Sequence, residues 1–150
     1  TALLDARWIV PVEPEGQVLK HHTLVIHEGR ILAILPQAEA AIRYTSETHL
    51  RFDQHVLMPG LINAHTHASM TLMRGLADDL PLMRWLQDHI WPAEMRWVDA
   101  DFVRDGTRLA IAEMLRGGVT CFNDMYFFPE AAAAVAREAG MRACVGLKPT

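Results

Sequence analysis

The chain has 150 residues, 51% of them hydrophobic, and a formal net charge of −4. That length suits one ordinary domain or a piece of a larger protein, and that apolar content excludes a disordered chain. Both charge signs are interspersed without a basic block, which excludes a nucleic-acid partner. The apolar runs stop far short of the ~18 residues a membrane span needs, so no membrane partner is expected.

The N-terminus, TALLDARWIV, lacks the basic segment and long apolar core of a secretion signal. It also lacks an initiating Met, so the natural start is expected upstream. Residues 1 to 56 read as β-structure. Trp8-Ile-Val10 is a short strand closed by Pro11. Leu24-Val-Ile26 and Ile31-Leu-Ala-Ile-Leu35 flank His27-Glu-Gly-Arg30, a hairpin signal in which Gly29 can take a positive φ. The mixed stretch EAAIRYTSETHLRFDQH reads as a polar connection to the second half of the chain.

From residue 57 the pattern changes. Val56–Asn63 is apolar and leads into a histidine pair. A helix is expected over Leu80–Ile90, with Asp79 as its N-cap and Pro81 in its first turn. A second helix, about Asp101 to Arg116, places Val103, Ala110, Ile111, Met114 and Leu115 at helical spacing, and Gly117-Gly118 stops it. VTCFNDMYF reads as a buried strand, Glu130–Ala139 as a helix opened by Pro129, and MRACVGLKP as a further buried strand. Apolar strands alternating with amphipathic helices predict βα units on a parallel sheet. Three such strands are too few to close a barrel, so the protein is expected to continue past Thr150 or to pair with another piece.

The chain contains two cysteines, Cys121 and Cys144. Both sit in apolar runs and are expected to be small buried hydrophobes, which fits a reducing cytoplasm rather than a disulfide framework. The H-x-E…P-C-x-x-C zinc pattern of cytidine-type deaminases and the H-E-x-x-H pattern of zinc proteases are both absent from the sequence.

The segment MPGLINAHTHASM, Met58 to Met70, carries the strongest chemical signal. Residues i and i+2 of a strand share a face, so His65 and His67 project together while Thr66 points away. Two imidazoles so placed can hold one metal ion, and the carboxyl end of a parallel strand is where α/β folds keep their active sites. The pair therefore reads as half of a metal site, with a hydrogen-bonded structural pair as the alternative. His21, His22, His27, His49, His55 and His89 read as surface or packed residues.

VLMPGLINAHTHASMTLMRGLADDLPLMRWLQDHIWPAE resembles the amidohydrolase superfamily, and within it the group of adenosine-type deaminases and their chlorohydrolase relatives. The similarity runs over nearly the whole chain. The H-x-H element marks only the superfamily, whereas RGLADDLPLMRWL, WPAE and GGVT…DMYF are more specific. The resemblance implies an α/β fold: the N-terminal part of a metal-dependent (β/α)8 TIM barrel plus a small β-sandwich. Residues 1–56 would form the sandwich portion and 57–150 the first three βα units. It implies one divalent metal ion, usually zinc, with His65 and His67 as two of its ligands. The remaining ligands and the residues that move protons are expected beyond Thr150, so no catalytic residue is assigned within 1–150 besides the metal ligands.

Glu94 matches the glutamate that binds the ribose hydroxyls in nucleoside-binding members, and a carboxylate suits a vicinal diol. Trp85, in the same segment, is a candidate pocket wall. Met70, Met73, Met83 and Met95 are read as core filler rather than an adaptable pocket. Asp78 is read as a loop contact, and Asp124, at a strand's carboxyl end, as a residue supporting the site.

The implied activity is hydrolytic deamination of an adenine nucleoside (5′-methylthioadenosine, S-adenosylhomocysteine or adenosine) to its inosine analogue and ammonia. The implied partner is thus a small-molecule nucleoside, with a homo-oligomer possible by analogy. Two alternatives stand beside it. One is a related aminohydrolase or chlorohydrolase acting on guanine, a pterin or an s-triazine, which would leave Glu94 without a diol to bind. The other is a non-catalytic assembly protein of the same fold, which would have no need of His65 and His67.

Overall fold

The structure is a computed structural model and describes residues 1–146. The chain divides into two compact units, with the division between Pro59 and Gly60.

The first unit is a four-stranded sheet, ordered β3-β2-β1-β4. Its strands are β1 (Ala2–Ile9), β2 (Leu19–His27), β3 (Arg30–Pro36) and β4 (Thr48–Leu57), with helix α1 (Gln37–Arg43) between the last two. β1 pairs antiparallel with β2 and parallel with β4. The predicted hairpin forms: Glu28 and Gly29 both take positive φ, at 48° and 74°, which turns β2 directly into β3. Leu3, Ala6, Ile9, Val25 and Ala40 are buried.

Two expectations fail here. The strand predicted at Trp8–Val10 is the end of a longer one. The stretch predicted as a polar connection is α1 and β4, because Ala40 docks on the sheet and β4 borrows its pairing from β1. Asp5 is buried in this unit, and its carboxylate accepts from Thr23 Oγ1 at 2.6 Å and from His49 Nε2 at 2.8 Å. His49 is thus a structural partner of a buried carboxylate, in line with its reading as packed.

The second unit begins with a parallel three-stranded sheet, ordered β5-β6-β7. β5 is Leu61–Thr66, β6 is Val119–Met125 and β7 is Arg142–Gly146. The remainder of the strand expected over Met141–Pro149 lies outside the described residues. After β5 come a 3₁₀ segment (Ala68–Met73) and a helical rod made of α2 (Leu82–Trp85), a π turn (Leu86–Ile90) and α3 (Trp91–Trp97). α4 (Ala100–Arg116) precedes β6, and α5 (Pro129–Glu138) precedes β7.

The helices cover one face of this sheet. Phe122 is fully buried among Ala68, Ala110, Ile111, Val135 and Ala136, worth about 2–3 kcal/mol on the usual burial scale. The opposite face is bare among the described residues: Ile62 is 69% exposed and Met125 56%.

The rod departs from the expected Leu80–Ile90 helix. Asp79 does not cap it. Its φ is +64°, and the N-cap is Pro81, with no side-chain cap. Proline fixes the entry instead. The rod also runs on to Trp97 through Pro92, which has no amide hydrogen and whose ring crowds the carbonyl four residues back. The π turn just before it, in which the Trp91 amide bonds to Leu86 O, is the widening that accommodates the proline.

α4 begins at Asp99, whose side chain accepts from the Phe102 amide at 2.8 Å. Asp99→Ala is expected to cost about 1 kcal/mol, the usual value of such a cap. A urea titration of the full-length protein reads it as a lower midpoint at unchanged slope.

The cysteines are not both buried. Cys121 is half-buried and Cys144 is exposed. The reason is the same bare face: the strands are apolar on both sides, but only one side is packed.

Candidate active site

β5 ends at Thr66, and the chain turns sharply at His67, whose φ of −120° and ψ of 74° lead into the 3₁₀ segment. His65 and His67 stay on the same side, with ring centroids 5.2 Å apart and planes at 80°. His65 is exposed and His67 half-buried.

The tautomer of His67 is set by its partner. Nδ1 lies 2.6 Å from the Met125 carbonyl oxygen. A carbonyl can only accept, so Nδ1 carries the proton and Nε2 keeps its lone pair. A backbone carbonyl behind one ring nitrogen, leaving the other free, is the arrangement that orients a metal-binding histidine.

Among the described residues no group of three or more His, Cys, Asp or Glu is placed to hold a metal. The pair is a fitting but incomplete donor set. Two neutral imidazoles suit zinc, and a closed site needs further ligands.

Asp124 supports the turn. Its carboxylate is buried and accepts from the Ala68 amide at 2.8 Å, one residue past His67. Burial pushes its carboxyl up from the ordinary value, while hydrogen bonds from the Ala68 and Met125 amides pull it back. A second anchor is steric. Gly106 of α4 lies so close to the Ser69 backbone that a Cβ there would stand 2.4 Å from its carbonyl oxygen. A third is the two-pronged pairing of Arg74 with Glu113, at 2.9 and 2.6 Å, which lowers the Glu113 carboxyl through the Arg74 hydrogen bonds.

His67 also lines a cleft of about 920 Å³. Trp85, Glu94, Met70 and Met95 line the same cleft, as do Tyr126 and Phe128 at the carboxyl end of β6. The sequence candidates Glu94 and Trp85 are therefore brought to the same cavity as His67. Trp85 is half-buried, and its indole N–H donates to Leu76 O at 3.0 Å, tying the rod to the loop before it. Met70 and Met95 line the cleft, so their reading as filler is too narrow for those two. Met73 and Met83 do not line it. Asp78 is exposed on the loop beside Gly75.

Tyr126 was not singled out by the sequence reading. It is buried, and its O–H donates to Glu94 Oε1 at 2.7 Å. Its ring stands 6.1 Å from that of His67. Burial, then the Glu94 bond and charge, push the phenol far above its ordinary range, so it remains a donor. Phe128 takes a left-handed backbone, φ 49°, at the start of α5. Such strain in a non-glycine residue is concentrated at ligand clamps and active sites.

A parallel βα sheet that carries a histidine pair at the carboxyl end of its first strand, with His67 lining a large apolar cleft to which Glu94 brings the one carboxylate among the described residues that line it, marks an α/β protein whose candidate site lies at the strand ends. The amidohydrolase family model matches residues 56–149, and the chain belongs to that family. It is 59% identical, over 141 residues, to a 5-methylthioadenosine/S-adenosylhomocysteine deaminase of Saccharophagus degradans, covering 94% of this chain and 32% of that protein. A crystal structure of an adenosine deaminase from Xanthomonas campestris with bound zinc is 52% identical and superposes with a TM-score of 0.93, covering 95% of this chain and 32% of that one. An atrazine chlorohydrolase from Arthrobacter aurescens, crystallised with zinc, is 20% identical with a TM-score of 0.87, covering 97% of this chain and 35% of that one, and shares the fold. The chain spans about a third of the length of the curated relatives it matches.

Proposed function

We propose that the protein containing this chain is a zinc-dependent hydrolase that deaminates an adenine nucleoside. The single observation that carries the reading is the convergence of His67, Glu94 and Trp85 on one apolar cleft, with His65 beside His67. In this reading β5, β6 and β7 are the first three strands of a (β/α)8 barrel, and residues 1–56 are part of a β-sandwich. The names of the relatives support the substrate class.

His65 and His67 would hold a divalent ion, most simply zinc. Such an ion, when bound, supplies a nucleophilic water at neutral pH. The chain's own contributions are binding and orientation. Met125 O fixes the His67 tautomer, and Asp124 fixes the turn on which His67 sits. Glu94 accepts from the 2′- and 3′-hydroxyls of the ribose, which places the base toward the histidines. Trp85 and the flexible thioethers of Met70 and Met95 form the apolar wall for the base and a 5′ thioether tail. The bond formed is C6–O and the bond broken is C6–N, with one water consumed and ammonia released. The substrate in this reading is a small nucleoside, and the two free cysteines, Cys121 and Cys144, fit a reducing cytoplasm.

Ammonia release from methylthioadenosine, S-adenosylhomocysteine, adenosine and guanine by the full-length, zinc-loaded protein tests this. Turnover of the nucleosides in preference to guanine is expected. Turnover of guanine alone would leave Glu94 without a function and overturn the reading.

A further inference from the structure

We infer that Tyr126 is the positioning residue for Glu94, and that this hydrogen-bonded pair makes the cleft selective for substrates with a vicinal diol. The inference rests on the nucleoside reading and deepens it.

Three consecutive residues at the end of β6 each fix a different part of the site. The Asp124 carboxylate accepts from the Ala68 amide, the Met125 carbonyl accepts from His67, and the Tyr126 hydroxyl donates to Glu94. The last is the informative one. Tyr126 is 8% exposed, and its ring is wedged against Val103, Ala131 and Ala132. A phenylalanine would fill that space equally well. The hydroxyl is instead spent on the one carboxylate among the described residues that line the cleft, at 2.7 Å.

A glutamate on a helix has several rotamers, and ordering it costs entropy when the ligand arrives. A charge-assisted bond from an immobile phenol removes that cost beforehand. It engages Oε1 and leaves Oε2 with free lone pairs. A carboxylate held in one orientation can accept from two adjacent hydroxyls at once, whereas a freely rotating one selects less between a diol and its absence. Because Tyr126 lies within 6.1 Å of His67, the same ring fixes the spacing between the diol end and the reacting end of a bound nucleoside.

The test compares adenosine with 2′,3′-dideoxyadenosine in the full-length, zinc-loaded enzyme and in its Tyr126→Phe variant. KM for adenosine is expected to rise about tenfold, the cost of ordering one long side chain on binding that the phenol otherwise removes beforehand, with kcat unchanged. KM for the dideoxy substrate is expected to stay constant. Glu94→Gln, with Tyr126 intact, should show the same diol-selective rise, and adding Tyr126→Phe to it should add no further selectivity. Equal losses on both substrates, or a fall in kcat at constant KM, would show Tyr126 to be a packing residue and overturn the inference while leaving deamination intact. A folded, zinc-loaded wild type inert on adenosine would overturn the nucleoside reading and this inference with it. Should Tyr126→Phe not fold, crystals of the full-length wild type with and without the inosine product decide: Glu94 is expected in one rotamer, bonded to Tyr126 in both, and a Glu94 that is turned away from Tyr126 in either overturns the pairing.

Discussion

Replacing His65 and His67 together by alanine is expected to strip the metal from the full-length protein and to bring its hydrolytic activity below detection. Both side chains reach solvent or the cleft and carry little of the packing, so the fold should survive, with a change of about 0.5 kcal/mol or less at His65 and about 1 kcal/mol at His67 for the lost bond to Met125 O. The chemical effect is far larger. Water beside a catalytic zinc has a pKa near 7, against about 15.7 in bulk, so the supply of nucleophile at neutral pH drops by about eight orders of magnitude. Zinc content and ammonia release measured on one preparation, with circular dichroism as the control for folding, check both halves. Retained activity in a metal-free double variant would remove the metal from the account.

Gly106→Ala is expected to damage the same site from a distance. The added Cβ would meet Ser69 at 2.4 Å from its carbonyl oxygen and 2.7 Å from its Cα. These are backbone atoms, which cannot rotate aside as a side chain can. Ser69 is itself fully buried and lies two residues past His67. Relief requires α4 and the 3₁₀ segment to separate. Overpacking of this kind costs about 1–3 kcal/mol or more, a large share of a total stability of about 5–15 kcal/mol. Moving the segment also tilts His67 off the Met125 carbonyl, and losing such a support lowers metal affinity by about 10–100-fold. A lower urea midpoint together with weaker zinc binding is the expected result. An unchanged midpoint would show that the helix and the segment can part at no cost.

The parts of the site that rest on periodicity were readable from the residues alone. A spacing of two on a strand puts His65 and His67 on one side wherever the strand lies, and Gly118 and Pro129 mark the borders of β6 and α5 by their backbone limits. Glu94 and Trp85 were reached through the resemblance of their segment, not through spacing. Tyr126 was missed because a tyrosine closing an apolar strand reads as core. Its meaning lies in a bond to a residue 32 positions away, which no local pattern encodes. Asp79 misled because Asp is a favoured cap, yet its left-handed backbone passes the role of helix entry to Pro81. α1 and β4 were hidden for the opposite reason. Their residues are mostly polar and exposed, and their structure is imposed by the sheet they join. Cys144 was misjudged because apolar strand composition does not say which of two faces is covered.

Zinc-edge anomalous diffraction from the full-length protein, crystallised with the inosine product, tests the central claim most directly. The account predicts a zinc peak about 2.0–2.1 Å from one nitrogen of His65 and from Nε2 of His67, with the product's ribose hydroxyls on Glu94. A zinc peak away from the pair, or a product whose ribose faces away from Glu94, would contradict it.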